Sequence, residues 1–523
     1  MPHRIWGSAA LLIVPVALFI LSIVMVNTQG PWGGNNRSDP EYCYLLNSLD
    51  LLTFHVPSHI DHPGTTLQEF GALILFFKWI AASLAGGSTS LQRAVLSQPD
   101  DYLRPINLGI VLIVCAAVFF VGLRLYVASR SLLAALVLQF TLFLFRQTLL
   151  ALPRVSPEPF LIAIGFAMMI PLIPLLLGQE RNPARASTAG ALFGLGMLTK
   201  VTFLPLGAVA VLVGGRKERK RFAIGALVAA LLVGLPILAR VPAILHWLAS
   251  LLIHTERYGS GPVGLPPGWE WKARLKHLVY EEPFIFCSLL YYALVLLSMI
   301  RARRDPLTLS IRRLAWVICG AIGVQLLMTL KHYGVRYMLP SLVICALPNA
   351  FIVLWLSSSA LPLMPRRSLA LLGSILMAAG LRASESGVAG WLREATENQA
   401  NVRALAAVRR DAKGCVTIGF YKASNPGYAL AFGSEYTAGV HGKTLEELYP
   451  DFIFYDQFTN TFRGWTLESR IGQVRQMLAQ DRCVLLQGSP NVIGLRLEPE
   501  FSLEPIAQAG DQAIYRLHAR APR

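Results

Sequence analysis

Charge is what this sequence has least of. Only 15% of its 523 residues are charged while 54% are hydrophobic, and its apolar stretches repeatedly exceed the roughly 20 residues that a spanning helix needs. That balance excludes an ordinary soluble protein. Cysteine is sparse too: the seven residues include no C-x-x-C pair and no metal-ligand spacing, so no zinc-type motif is on offer. Cys115, Cys287, Cys319 and Cys345 fall in apolar runs and read as packing residues. Cys415 and Cys483 each open a strand-like run, where a disulfide is an open option. There is no internal repeat and no low-complexity tract, and the missing repeat counts against a transporter built from inverted halves. No small-x-small cleavage site follows the first apolar stretch, Ile5–Val26, which therefore reads as a retained anchor.

What is abundant is positive charge in clusters. The formal net charge is +17, yet residues 384–523 hold 15 basic and 15 acidic side chains, so the whole excess lies upstream. It gathers in "RKERKR" (216–221), "RARRD" (301–305) and "RR" (366–367) between apolar runs. That is the positive-inside pattern of a membrane protein, not a nucleic-acid surface.

Eleven spans are expected, near 5–26, 67–85, 104–126, 131–151, 157–177, 187–215, 222–240, 283–300, 313–330, 336–357 and 368–383. With the clusters at 216–221, 301–313 and 366–367 cytoplasmic, loops 27–66, 241–282 and 331–335 face outward, as does everything after 384. Residues 187–215 read as two short helices or as one crossing interrupted near Thr199–Pro205; parity favours the single crossing. Arg124 and Arg130 then fall outside, against the charge rule. The fold class expected is an α-helical polytopic membrane protein of about eleven helices with a C-terminal extracytoplasmic α/β domain. Its division is residues 1–383 and 384–523, the latter carrying strand-like runs at 415–421, 451–456 and 483–488 and two more strands around Gly510-Asp511.

Polar residues stand out against such a background. In "NRSDPEYCYLLNSLDLL" Ser38 and Glu41 fit a capping box, Pro40 suits a first helical turn, and leucines recur at helical spacing. Capping leaves Asp39 unexplained. The loop continues with His55, His59, Asp61 and His62, four groups that suit a metal, an anion or a polar pocket beside Asp39 and Glu41. Lys200 stands mid-span in "GLGMLTKVTFLPL", and Lys331, His332 and Arg336 open a late span. A charge in the bilayer costs several kcal/mol unless paired or hydrated, so each marks a polar cavity or an edge. Lys78 and Arg146 carry no motif and read as a snorkelling lysine and a structural ion pair. Glu158, in "RVSPEPF", falls on the cytoplasmic side of the expected topology and reads as structural. The glycine-rich "HTERYGSGPVG" (254–264), with His254 and Tyr258, suits a lid over a substrate or a plain connector.

These pieces occur in a recognisable order: "SDPEY" after the first span, "DHPGTTLQ" entering the second, "GLGMLTK" in the sixth, a long outer loop, and "RYMLP" opening a late span. Over roughly residues 1–355 the chain resembles the integral-membrane glycosyltransferases of the C superfamily, in the branch of protein O-mannosyltransferases and lipid A aminoarabinose transferases. The resemblance implies a polyprenyl phosphate sugar as donor, a cell-envelope acceptor (lipid, polysaccharide or protein), and no nucleic-acid partner. It makes Asp39, with Glu41, the catalytic acid pair, Asp39 acting as base. Lys200 and Arg336 would hold the donor phosphate, helped by Lys331 and His62, while His59, Asp61, His254 and Tyr258 would line the substrate site. No cofactor is certain; some relatives use a divalent metal, for which Asp39, Glu41, His59 and His254 would be the ligands. Relatives often carry an adjacent acid pair and an "HPP" turn. Here Pro40 splits the pair and the turn reads "HPG", which leaves open which carboxylate acts and which sugar is carried. A transporter or flippase for a lipid-linked solute, and a non-catalytic assembly protein, are the competing classes.

Overall fold

A computed structural model describes residues 7–34, 39–87, 89–179, 182–299, 306–358, 363–421, 423–456, 459–489, 497 and 501–520. The chain forms two compact units: residues 1–23, 60–67 and 108–390 make the first, and residues 24–59, 68–107 and 391–523 the second. The boundary expected at 383/384 lies inside one helix, Leu363–Asp411, and the units part between Gly390 and Trp391.

The architecture is that of a polytopic membrane protein. Among the described residues seven helices are long and apolar enough to span: Gly7–Gln29, Thr65–Leu84, Pro99–Ser129, Pro157–Leu176, Leu235–Ile253, Pro306–Lys331 and Val335–Ser357. A bent pair, Gly268–Glu281 and Pro283–Ser298 at 88°, raises the number to eight. The expected span at 131–151 is instead broken into Leu132–Phe140, Thr141–Leu144 and Arg146–Ala151. The expected span at 222–240 belongs to a helix, Arg216–Val233, that starts in the basic cluster. Residues 241–282, read as an outer loop, contain the helices Val241–Ile253 and Gly268–Glu281. The first of these has Pro242 in its opening turn, where proline's missing N–H is harmless.

Residues 187–215 resolve the other way from the single crossing expected. The Pro183–Thr199 helix ends at Lys200, whose backbone is extended (φ −164°, ψ 134°), and a 3₁₀ helix follows over Val201–Val211. A Cβ on Gly196 would meet the Phe203 ring and one on Gly207 the Phe193 ring, so the two segments run antiparallel, with Lys200 at their apex. The same helix packs closely on Arg216–Val233: a Cβ on Gly190 or Gly194 would stand 1.9 Å or 2.3 Å from the carbonyl oxygens of Phe222 and Ala226. Glycines four apart are the usual means of such close approach between apolar helices.

The second unit is built on a mixed sheet of strands β1 (Val416–Gly419), β2 (Phe454–Asp456), β3 (Thr461–Arg463), β4 (Val484–Gly488), β5 (Phe501–Ala509) and β6 (Gln512–Ala519), in the order β3-β2-β1-β4-β6-β5. β1 is parallel to β2 and β4, whose buried runs are the expected ones; β5 and β6 form the hairpin around Gly510-Asp511. Cys415 and Cys483, at the heads of neighbouring strands, are joined by a disulfide. The core holds Ile418, Phe420, Phe462, Val484 and Leu486.

Several links in this unit bear on topology. Gln399 donates to the carbonyl of Thr28 (2.6 Å) at the end of the first span, and Tyr449 donates to those of Leu96 and Ser97 just before Pro99 (3.2 and 3.3 Å). Between them, Gln68 donates to the carbonyl of His59 (3.1 Å), Lys78 to that of Asp101, and Trp79 to that of Thr89 (3.1 Å). Residues 68–107 thus belong with the sheet in one unit, and Thr65–Leu84 has the length and hydropathy of the span expected at 67–85.

Candidate functional site

In the helical unit the polar centre is Glu158, not foreseen as functional. Ser156 and Pro157 open the Pro157–Leu176 helix, which puts Glu158 in its first turn, where the helix dipole favours an anion. Lys200, at the hairpin apex, donates to Glu158 Oε1 at 2.6 Å, and the two side chains are only 4% and 7% exposed. Arg336, 42% exposed, brings Nε to 3.9 Å from the same oxygen. Lys200 Nζ also lies 5.0 Å from the centroid of the Tyr337 ring, a cation–π distance. The first turn of one helix, the end of a second and the start of Val335–Ser357 thus meet at one level.

Burial dictates the pairing. A lone charge so deep is expensive, and a carboxylate between two cations leaves a cluster of net charge +1. Of the two cations, Arg336 is the one a ligand can reach without first breaking a buried pair. Its Nη2 lies 3.4 Å from the Tyr258 hydroxyl. Tyr258 stands at the tip of a small hairpin made by 254–264, closed by bonds from Thr255 N to Pro262 O (3.1 Å) and Gly264 N to Ile253 O (2.9 Å). Tyr258 and Gly259 both have positive φ (59° and 77°), the pattern of a tight hairpin turn.

His62 completes this group. Its φ is 60°, a region costly for residues other than glycine, and Gly64 follows at 67°. The kinked "DHPG" segment seats the imidazole edge-on against Trp247 and Tyr258 at 5.1 and 5.8 Å, and tilted against Tyr337 at 5.7 Å. Asp61 beside it is half-buried, and burial raises its carboxyl above the usual range. Thr66 and Thr199 hydroxyls share a 2.6 Å hydrogen bond next to Lys200.

Two expected site residues in this unit have other partners. Lys331 donates to the carbonyls of Leu251 (3.0 Å) and Leu252, and His332 approaches Leu251 O at 2.6 Å. Both serve the C-terminal end of Val241–Ile253, where cations satisfy the orphan carbonyls. His254 Nδ1 lies 2.7 Å from Gly261 O, inside the hairpin.

Asp39, Glu41 and His59 belong to the sheet-bearing unit. The helix there is Glu41–Leu52; Pro40 stands at its N-cap with no side-chain cap bond, and Ser38 of the expected capping box lies outside the described residues. Asp39 is exposed and Glu41 fully buried, so only the former meets solvent freely. Asn47 braces the segment: its amide donates to Tyr436 O (3.1 Å) and its Oδ1 accepts the N–H groups of Ser58 and His59 (2.9 and 3.0 Å). Further along the helix, buried Asp50 pairs with His441 Nε2 at 3.0 Å, and Gln92 Nε2 stands 2.9 Å from His441 Nδ1. His59 is held between the Tyr44 and Tyr436 rings, both at 5.0 Å.

Around this helix the field is acidic. Burial, then Asp39, Glu41 and Glu435, push the Cys43 thiol well up. Burial and its hydrogen-bonded neighbour Asp456 push Glu435 up to about 8, Arg463 opposing; Asp456 is itself paired with Arg463 at 3.0 Å. Sequence reading missed Glu435 and Asp456, because one ends a helix and the other a strand, twenty-one positions on. Among the described residues no three His, Cys, Asp or Glu side chains are gathered as a metal site, the set Asp39, Glu41, His59 and His254 included.

No protein-family model matches the chain, and no curated protein does. Solved structures do. ArnT from Cupriavidus metallidurans, in its apo state, superposes with a TM-score of 0.51 at 12% identity, over 96% of this chain and 97% of that one. The same protein bound to undecaprenyl phosphate gives 0.50 at 12% identity with the same coverage. The chain therefore shares, nearly end to end, the fold of ArnT.

Proposed function

We propose that this protein transfers a sugar from a polyprenyl phosphate donor to a cell-envelope acceptor at the outer face of the inner membrane, with inversion at the anomeric carbon. The observation that carries the reading is the Glu158–Lys200–Arg336 cluster, net positive and set among His62, Tyr258 and Tyr337, in a fold shared with a protein whose structure holds undecaprenyl phosphate. A lipid phosphate is the ligand such a cluster suits: one anionic head, and a tail that needs apolar helices.

In this reading the donor phosphate contacts Arg336, which can give two parallel hydrogen bonds, and the Tyr258 hydroxyl adds a third donor. Lys200, bound to Glu158, contributes field rather than contact. The acceptor hydroxyl attacks the anomeric carbon, its proton passes to the exposed Asp39 carboxylate, and the bond from that carbon to the phosphate oxygen breaks. The extra negative charge of the departing polyprenyl phosphate falls on Arg336 and Lys200, the preorganised electrostatic help that acyl and phosphoryl sites also use. His62, Asp61, His59, His254 and Tyr258 shape the sugar site, and Lys331 supports it through the helix end that it caps. Glu41, being buried, orients the segment that carries Asp39. The sheet-bearing unit is extracytoplasmic, and the clusters at 216–221, 301–313 and 366–367 are cytoplasmic.

The test is transfer by purified protein in lipid nanodiscs, from a radiolabelled panel of polyprenyl phosphate sugars to an envelope extract. Asp39→Asn is expected to lower transfer by about 10²–10⁴-fold, the usual worth of a general base, with an unchanged melting temperature. Equal transfer by both proteins would remove Asp39 from the chemistry; none from any donor would favour a transporter.

A further inference from the structure

A cavity of about 530 Å³ lies wholly within the sheet-bearing unit, a size usual for small-molecule sites. Three separate stretches build it: Tyr42, the turn Ser97–Asp101 at the head of the Pro99–Ser129 helix, and residues between Asn425 and Trp465. One wall is aromatic and already stacked. The Phe452 ring lies 4.2 Å from buried Trp465 at 17°, and Tyr449 stands 6.0 Å from the same indole. Trp465 Nε1 is fixed on the Tyr449 carbonyl (2.9 Å). A Cβ at Gly427 would stand 2.6 Å from Phe452 Cε2, so glycine there leaves the ring its place.

The rest of the lining offers oxygen. Asp100 is oriented by the Trp32 N–H on one oxygen (2.9 Å) and the Tyr42 hydroxyl on the other (3.3 Å), while Asp101 is exposed. No Lys or Arg lines the cavity among the described residues. A phosphate or carboxylate ligand would meet two carboxylates and no cation. A purely apolar one would strip water from those carboxylates and return no hydrogen bond. A ring with one C–H face and an edge of hydroxyl donors satisfies both walls. Asp100 and Asp101 open a helix long and apolar enough to span.

We propose that this cavity binds a pyranose unit without net negative charge, belonging to the acceptor, apart from the cationic donor cluster. The proposal rests on the transferase reading above, and one titration series on the full-length protein in nanodiscs separates the two. The probes are methyl β-D-glucopyranoside, glucosamine, glucose 6-phosphate and choline, followed by calorimetry, with undecaprenyl phosphate titrated separately. The two uncharged-or-amino sugars are expected to bind with Kd in about the millimolar range, as suits a dozen heavy atoms, and glucose 6-phosphate about tenfold more weakly. Phe452→Leu and Asp101→Asn should each weaken the sugars by about fivefold, leaving melting temperature and undecaprenyl phosphate binding unchanged. No sugar binding, equal binding by both variants, or preference for choline would each overturn the proposal. Failure of undecaprenyl phosphate to bind, with the sugars still bound, would instead refute the donor reading.

Discussion

In the helical unit Glu158, Lys200 and Arg336 meet in an apolar surround and sum to one positive charge. In the sheet-bearing unit Glu435 and Asp456 meet, with Arg463 offsetting them in part, and the aromatic cavity adds Asp100 and Asp101. In the proposed reading one unit receives a phosphate and the other holds protons and hydroxyl groups. The contrast lies in how each unit carries its buried charge. A membrane-buried charge must be paired, so its residues come as a closed cluster with one reachable member. Half-buried Glu435 and buried Asp456 instead lie close enough to share a proton.

The sharpest break in this comparison is expected at Arg336. Arg336→Ala should lower transfer by about 10²–10³-fold, the worth of one preorganised donor to a developing charge, measured at saturating donor; Arg336→Lys should recover part of it. Lys200→Met takes from buried Glu158 its hydrogen-bonded cation and leaves the more distant Arg336 at 3.9 Å, and should destabilise the protein by about 3–5 kcal/mol in thermal unfolding. Adding Glu158→Gln should return most of that stability. If the single variant melts with wild type, the pair is no structural constraint.

The smallest effect belongs to the acidic side. Glu435 is held at about 8 in the fold against 4.5 for a free glutamate. Between those values the folded state retains a proton that the unfolded chain has lost, so this group's contribution is complete at low pH and is lost as pH rises towards 8. The melting temperature of wild type should therefore fall relative to Glu435→Gln between pH 5 and pH 8. A constant difference would place the shared proton elsewhere.

How much of this could be read from sequence depended on range. Lys200 was legible because a charge interrupting an apolar run is conspicuous, and the strands and the Cys415–Cys483 option were legible from local pattern. Crossing number was not: residues 187–215 have the composition of one interrupted span, and only the approaches of Gly196 to Phe203 and of Gly207 to Phe193 show a hairpin. Glu435 and Asp456 gave no signal, since nothing in either's neighbours announces the other. The aromatic cavity draws Tyr42, Asp100 and Phe452 from three separate stretches of the chain.

The central claim is that the cationic cluster recognises a polyprenyl phosphate by its charge. Native mass spectrometry of the nanodisc-purified protein with equal amounts of undecaprenyl phosphate and uncharged undecaprenol tests it directly, in wild type and in Arg336→Ala. The account predicts a clear preference of wild type for the phosphate that disappears in the variant. Equal retention of the two lipids by wild type would contradict it.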